Sequence, residues 1–361
     1  MGRVIRWVIV IVVSVAVVVG IAAQFPAVQD AVIRRVIATR IKLPHGDLLK
    51  DDALRVLLCG TASPMPHPTR AKACVAVFAA GRFWVVDTGP GSWNRLALLQ
   101  IDGRDIGGIL YTHFHSDHIG ELGEFNLQTW GAGRPSPLAV YGPPGVERLV
   151  AGFTEAYALD TGYRIAHHGA QFLPPDVARM EAHAIPGPAD GKGPTVVLEQ
   201  DGLKITAFAV DHSPIRPAYG YRFDYRGRSA VMSGDTVKDA GLIAAAKGAD
   251  VLVHEAQANH IVVMMQEEAE KIGRTRIAKI LHDIRSYHTS PVEAAEAANE
   301  AGVKLLVLYH LTPPPPPVPL VGRVFVRGVS AVRPSGWLLG DDGTIVTLPA
   351  NSDVVQVGQL G

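Results

Sequence analysis

The apolar and polar positions along the chain fall into three regimes. The first is Trp7 to Ala23, WVIVIVVSVAVVVGIAA, a run of 17 uncharged residues preceded by Arg3 and Arg6. Its length suits a short membrane span or a long signal segment. The pattern predicts an uncleaved transmembrane anchor over 1–24, with the remaining chain on the exported, periplasmic side. A signal cleaved after Ala22 and Ala23 is the alternative. Arg34, Arg35, Arg40 and Lys42 follow the span and weaken the charge bias that orients such helices. In the second regime, AVIRRVIATRIKL (Ala31 to Leu43) places apolar residues at helical spacing with arginines between them. It predicts an amphipathic juxtamembrane linker over 25–50, lying on the membrane surface or packed on the main domain.

The third regime, from residue 51, alternates short β-like runs with helical ones. LRVLLCG, CVAVFAA, RFWVVDTG and GGILYTH are bounded by Gly or Pro and read as strands. LAVYGPPGVERLVAGFTEAY reads as strand, turn and helix. LKITAFAVDH, AYGYRFDY, RSAVMSGDT and DVLVHEA add four strands. The stretch from His260 to His288 has helical spacing, as a lid over a site or a packed surface helix. PVEAAEAANEAGVKLLVL is a helix stopped by Gly302 and followed by a strand. RPSGWLLGDDGTIVTLP predicts a terminal hairpin turning at Asp-Asp-Gly. No fixed-period repeat appears. The whole predicts an α/β protein, two sheets sandwiched between helices (αββα), in one catalytic domain over 51–350 with a tail over 351–361.

With 48% hydrophobic and 19% charged residues, 361 residues can bury a large core. The 34 basic and 34 acidic residues cancel, so no global field draws the chain to nucleic acid, which is not an expected partner. Oligomeric state is left open, a dimer included. Cys59 and Cys74 are too few for a disulfide scaffold or zinc fingers, and read as small buried thiols in apolar strands.

Candidate chemistry concentrates in THFHSDHIG, Thr112 to Gly120. Four side chains of metal-ligand type within six residues, following an apolar strand, cannot all be buried unpaired without a cost of several kcal/mol. His113 and His115 alternate along an extended segment, whereas Asp117 and His118 follow where the chain turns helical. That split suits two ions about 3.5–4 Å apart.

This stretch resembles the H-x-H-x-D-H signature of the metallo-β-lactamase superfamily. The resemblance runs from Leu54 to Leu311, towards the ribonuclease Z and arylsulfatase-like branch. GTASPMPHPTR is similar to that branch's first loop, and VVDTGPG to its second strand. It implies His212, in VDHSPIRPAYGYRF, as a further ligand, Asp235 in SGDT as a bridging carboxylate, and His310 in LYHLTPP as the last ligand. One ion would then be held by His113, His115, His212 and Asp235, the other by Asp117, His118, Asp235 and His310. LVHEA and YHTSP resemble two further motifs of the branch, implying His288 as the acid that protonates the leaving group and Glu255 as its orienting carboxylate. Two divalent ions are the implied cofactors, zinc by default, manganese or iron also suiting the donors.

The expected activity is hydrolysis of a small ester, phosphodiester or aryl sulfate, by a hydroxide bridging the ions, with Asp117 orienting it. Members that process tRNA carry a long arm after the GYR segment. Here about a dozen residues separate Tyr221 from Asp235, so ribonuclease Z activity without the arm is an alternative. A β-lactamase or lactonase is another, and a non-enzymatic metal binder a third. His254 reads as structural, His167 and His168 as a solvated loop, Asp87 as a partner of a metal ligand, and Tyr219 and Tyr221 as core.

Overall fold

The computed structural model describes residues 2–41, 45–189, 191 and 193–360, and the chain divides into two units, Met1–Pro44 and His45–Gly361. In the first, an exposed helix spans Gly2–Ala22; its 21 residues reach about 30 Å, the thickness of a bilayer core. A second exposed helix spans Pro26–Ile41. Val28, Val32, Ile33, Val36, Ile37 and Ile41 lie along it, with Arg34 and Arg35 between them. Lys42 and Leu43 lie outside the described residues.

The second unit is built on two sheets. The strands are β1 Ala53–Gly60, β2 Cys74–Ala79, β3 Arg82–Val86, β4 Ile106–Leu110, β5 Leu138–Gly142, β6 Met180–Ala184, β7 Thr195–Gln200, β8 Leu203–Ala209, β9 Tyr219–Tyr225, β10 Arg228–Met232, β11 Val251–Gln257, β12 Leu305–Thr312, β13 Trp337–Leu339, β14 Thr344–Pro349 and β15 Gln356–Gln359. One sheet runs β15-β14-β1-β2-β3-β4-β5-β6, the other β13-β12-β11-β10-β9-β8-β7. β1, β11 and β12 are buried along their whole length, as central strands covered on both faces must be.

The two sheets face each other across an apolar core that includes Val56, Val77, Tyr221, Phe223, Met232, Val253 and Val307. Helices Ser92–Leu98, Leu122–Gly131 and Val146–His168 cover the outer face of the first sheet. Helices Ala240–Ala245 and Pro291–Ala301 cover that of the second. This is the αββα sandwich that the sequence resemblance implies. The helix Pro291–Ala301 opens with a Ser290/Glu293 capping box and closes at Gly302 with φ 68°, a left-handed turn suited to glycine.

Three expectations are corrected. Cys59 and Cys74 are bonded as a disulfide, with Cα atoms 5.0 Å apart. Antiparallel pairing of β1 with β2, shifted between Leu58 and Gly60, brings their ends together. The terminal hairpin does not form. β13 joins the second sheet beside β12, and Gly340–Gly343 carries the chain across the sandwich so that β14 pairs with β1. The segment beyond 350 carries a strand, since β15 pairs with β14.

Candidate metal centre

The residues expected to carry chemistry come from six places in the chain and meet at one rim of the sandwich. His113 lies just beyond β4, and His115 opens the short helix Ser116–Ile119 that contains Asp117 and His118. His212 follows β8 and Asp235 follows β10. Gly234 has φ +62°, and a Cβ there would stand 2.4 Å from the Tyr219 carbonyl, so only glycine lets the chain turn tightly enough to present Asp235. His310 sits on β12 at a shift in the ladder: Glu255 pairs with Tyr309 but Ala256 with Leu311. The extra residue has φ 44°, and this bulge aims its imidazole at the cluster.

Potential ligand atoms of His113, His115, His212 and Asp235 lie within 4.8 Å of one another, as do those of Asp117, His118 and His310. Asp235 faces both sets. Its Oδ2 stands 3.4 Å from His118 Nε2 and 3.9 Å from both His113 Nε2 and His212 Nε2, and its Oδ1 is 3.5 Å from His310 Nδ1. His310 Nε2 is 3.2 Å from Asp117 Oδ2. Burial alone would raise Asp117, yet His118 and His310 beside it bring it down to about 2. Burial opposes ionisation of Asp235 too, but His310, His118 and His113 hold it well below the usual carboxylate range. Burial keeps His113 well below the ordinary histidine value, with His118 adding to the effect.

The donor set fits divalent cations. His212 Nε2, Asp235 Oδ1 and His310 Nδ1 are buried without a hydrogen-bond partner, which is costly unless another group completes them. His212 Nδ1 donates to the Tyr287 carbonyl at 2.9 Å, so its Nε2 lone pair faces the cluster. His118 Nδ1 is 2.8 Å from Asp87 Oδ2, which frees its Nε2 in the same way. Asp87 is held by Thr112, whose backbone N–H (2.9 Å) and hydroxyl (2.8 Å) donate to its two oxygens.

Beside the cluster, His288 Nδ1 lies 2.8 Å from Glu255 Oε1, with both side chains nearly or fully buried. The backbone N–H groups of Thr236 and Thr289 donate to the same oxygen at 3.2 Å each. Burial alone would lower His288, but the Glu255 carboxylate raises it above the ordinary histidine value.

Other residues stand elsewhere. His254 is buried on β11, its Nδ1 2.7 Å from the Glu255 carbonyl, and belongs to none of the ligand groups among the described residues. His167 and His168 are exposed, in the last turn of helix Val146–His168 rather than in a loop, because the helix runs on to Gly169. Tyr219 and Tyr221 are fully buried.

Sequence reasoning missed Lys72. Its ammonium donates to the carbonyls of Ser63 (2.7 Å) and Met65, fixing the loop that lines the cleft. A lone lysine in a loop leaves no periodic signal, so only the fold exposes this role. A cavity of about 290 Å³ opens above the cluster, with Ser63, Met65, Asp117, Asp235, Tyr287 and His288 in its lining.

Residues 82–311 match the family described as beta-lactamase superfamily domain. The chain is 39% identical over 263 residues to a protein named ribonuclease Z from Mycobacterium avium (strain 104), covering 72% of this chain and 86% of that one. A ribonuclease Z from Mycobacterium bovis is 38% identical over the same span. Among solved structures, the short form of human tRNase Z superposes with a TM-score of 0.58 at 20% identity, over 82% of this chain and 99% of that one. The metallo-β-lactamase fold protein YhfI from Bacillus subtilis gives 0.56 at 18%, over 82% and 100%. With its fold, its paired ligand clusters and these relatives, the chain belongs to the metallo-β-lactamase superfamily, as a metal-dependent hydrolase related to ribonuclease Z.

Proposed function

We propose that this chain hydrolyses phosphodiester bonds at a ribonuclease Z-type two-metal centre. The observation that carries the reading is the buried His288–Glu255 pair beside the ligand cluster. A departing alkoxide needs a proton, whereas opening a lactam or lactone makes less demand for one. One ion is assigned to His113, His115, His212 and Asp235, the other to Asp117, His118, Asp235 and His310. The position of Asp235 between the two sets supports its bridging role. Zinc is the default, with manganese or iron also suited to these donors. When bound, such ions supply charge against the phosphoryl oxygens and a water acidic enough to attack near neutral pH.

The chain's own residues do the rest. Asp117 accepts a hydrogen bond from the attacking water and orients it. With its Nδ1 engaged by Glu255, His288 presents Nε2–H to the leaving oxygen. Glu255, fixed by the two threonine amides, keeps the imidazole in that tautomer.

The relatives' name turns the reading from small esters in general towards phosphodiesters. It also makes RNA the first substrate to test, although the charge balance argues against nucleic acid. A small phosphodiester is the second reading. β9 and β10 are joined by Arg226 and Gly227 alone, and the stretch from Tyr221 to Asp235 has no room for a substrate-gripping arm. The apolar helix Gly2–Ala22 and the disulfide further support a membrane-anchored protein with its catalytic unit in an oxidising, exported compartment.

The test is the full chain in detergent, loaded with zinc or manganese. It is assayed on bis(p-nitrophenyl) phosphate, p-nitrophenyl sulfate, a cephalosporin, a lactone and RNA with a 3′ extension. Elemental analysis runs in parallel. Turnover of a phosphodiester with about two ions per chain is expected; preference for sulfate, lactam or lactone, or a single ion at saturation, would sink the proposal.

A further inference from the structure

The cavity above the ligand cluster has two unlike walls. One is polar and holds the groups already described. The other is apolar: Met65 from the loop after β1, Ile280 from helix Thr275–Asp283, then Ile284 and Tyr287. The helix buries Ala278 and Leu281 against Val262 and Ala269, so its inner face is satisfied without Ile280. Ile280 is left 54% exposed at the cleft. About half of its surface is still in water after folding, and a ligand that covers that half would be stabilised by doing so.

This wall is fixed rather than loose. Gln257 Nε2 donates to the Ile284 carbonyl at 2.9 Å. Lys72 ties down the Met65 carbonyl, and the Tyr287 carbonyl accepts from His212 Nδ1. It is also continuous in the chain with the acid, since Ile284, Tyr287 and His288 fall within five residues. An oxygen within reach of His288 therefore shares one cavity with these side chains, and its substituent can reach them. At about 290 Å³ the space lies near the lower end of the ~300–1,000 Å³ found for small-ligand sites.

We propose that Met65, Ile280, Ile284 and Tyr287 seat an alkyl or aryl group on the leaving alcohol, making them the specificity element of the site. This rests on phosphodiester hydrolysis as the activity. In the step, the oxygen of water bonds to phosphorus and the P–O bond to the apolar alcohol breaks. The proton from His288 ends on the departing oxygen, and the proton lost by water restores His288. The products are a phosphomonoester and an apolar alcohol.

The experiment uses the metal-loaded full chain and methyl phosphodiesters whose second alcohol is ethanol, butanol, hexanol or adenosine (through its 3′ oxygen). The alkyl alcohols have nearly equal pKa, so chemistry is constant along that series and only apolar reach varies. The expected result is release of hexanol rather than methanol, with kcat/KM rising up to about fourfold per buried methylene. In Ile280→Ser and in Ile284→Ser the hexyl-to-ethyl ratio should fall at least about tenfold with metal content retained, and Ile280→Leu should keep it. Affinities for ethyl and hexyl methylphosphonate, read by calorimetry, repeat the comparison without turnover. Equal affinity for the two, preferential release of methanol, or preference for adenosine over hexanol would overturn the proposal. Chain-length discrimination in binding without hydrolysis of any diester would instead overturn the phosphodiesterase reading and leave the wall standing.

Discussion

His288 separates leaving-group chemistry from metal chemistry. It is held by a carboxylate on a neighbouring strand and stands outside the two ligand sets proposed above, although potential ligand atoms of His288, Asp235 and His310 also lie within 4.8 Å of one another. His288→Ala should therefore keep both ions and fold normally, yet lose roughly 10²–10⁴ in rate on diesters with poor leaving groups. With an activated nitrophenolate, which departs without a proton, the loss should be much smaller. Glu255→Gln should show a weaker form of the same dependence, because it acts only through the imidazole. Equal losses on both substrate types would make His288 a binding residue, and loss of metal would make it a ligand. Strain marks the same neighbourhood. Asp87 (φ 61°) and His310 (φ 44°) adopt left-handed conformations that cost about 1–3 kcal/mol each, tolerated where the surroundings over-determine them. Both contact the cluster, Asp87 by hydrogen-bonding His118 and His310 directly.

At the scale of elements, strand ends do most of the positioning. β1 and β2 are paired by an antiparallel ladder that shifts register near its end, and joined by the Cys59–Cys74 bond; between them runs the loop whose Ser63 and Met65 line the cleft. The disulfide spans 15 residues. Loop-closure entropy for that span stabilises the fold by about 3 kcal/mol. Reduction, or the pair Cys59→Ala and Cys74→Ala, should lower the denaturant midpoint of the catalytic unit by a corresponding amount. A midpoint unchanged by reductant would mean that the two sulfurs are thiols in the native protein. The expected lid corresponds to two helices, Asn259–Lys271 and Thr275–Asp283, packed on each other through Val262, Ala269, Ala278 and Leu281. Only Ile280 and the residues after the second helix reach the cavity.

For the molecule as a whole, the question is where the catalytic unit works. Helix Gly2–Ala22 carries no buried residue and is apolar enough to cross a bilayer, a test that signal segments also pass. The full chain should sediment with membranes and resist carbonate extraction. A mature protein that begins near Gln24 and stays in the soluble fraction would instead show a cleaved signal. Reagents confined to the outside of intact cells should reach the catalytic unit, as export requires; labelling only after lysis would place it in the cytoplasm.

Much of this protein was legible in one dimension, because local rules wrote it. Hydrophobic runs bounded by Gly and Pro marked most of the strands, Gly302 marked the end of a helix, and four ligand-type side chains within six residues announced a metal-binding stretch before any fold was known. His212, Asp235, His288 and His310 are different. Each is a single polar residue, three of them near strand ends and His288 in the loop before helix Pro291–Ala301, and it was the family resemblance, not spacing, that singled them out. What the chain could not disclose was every feature made by contact between distant segments. The cysteines looked like ordinary core residues until the β1–β2 register joined them. The Asp-Asp-Gly turn looked like a hairpin until the sheet that completes β13 proved to be a different one from that which completes β14. Lys72 and the apolar wall gain meaning only where loop, helix and cluster converge. Side-chain periodicity reports which face of an element is buried, but not which partner buries it, and that pairing is settled by packing across the whole sandwich.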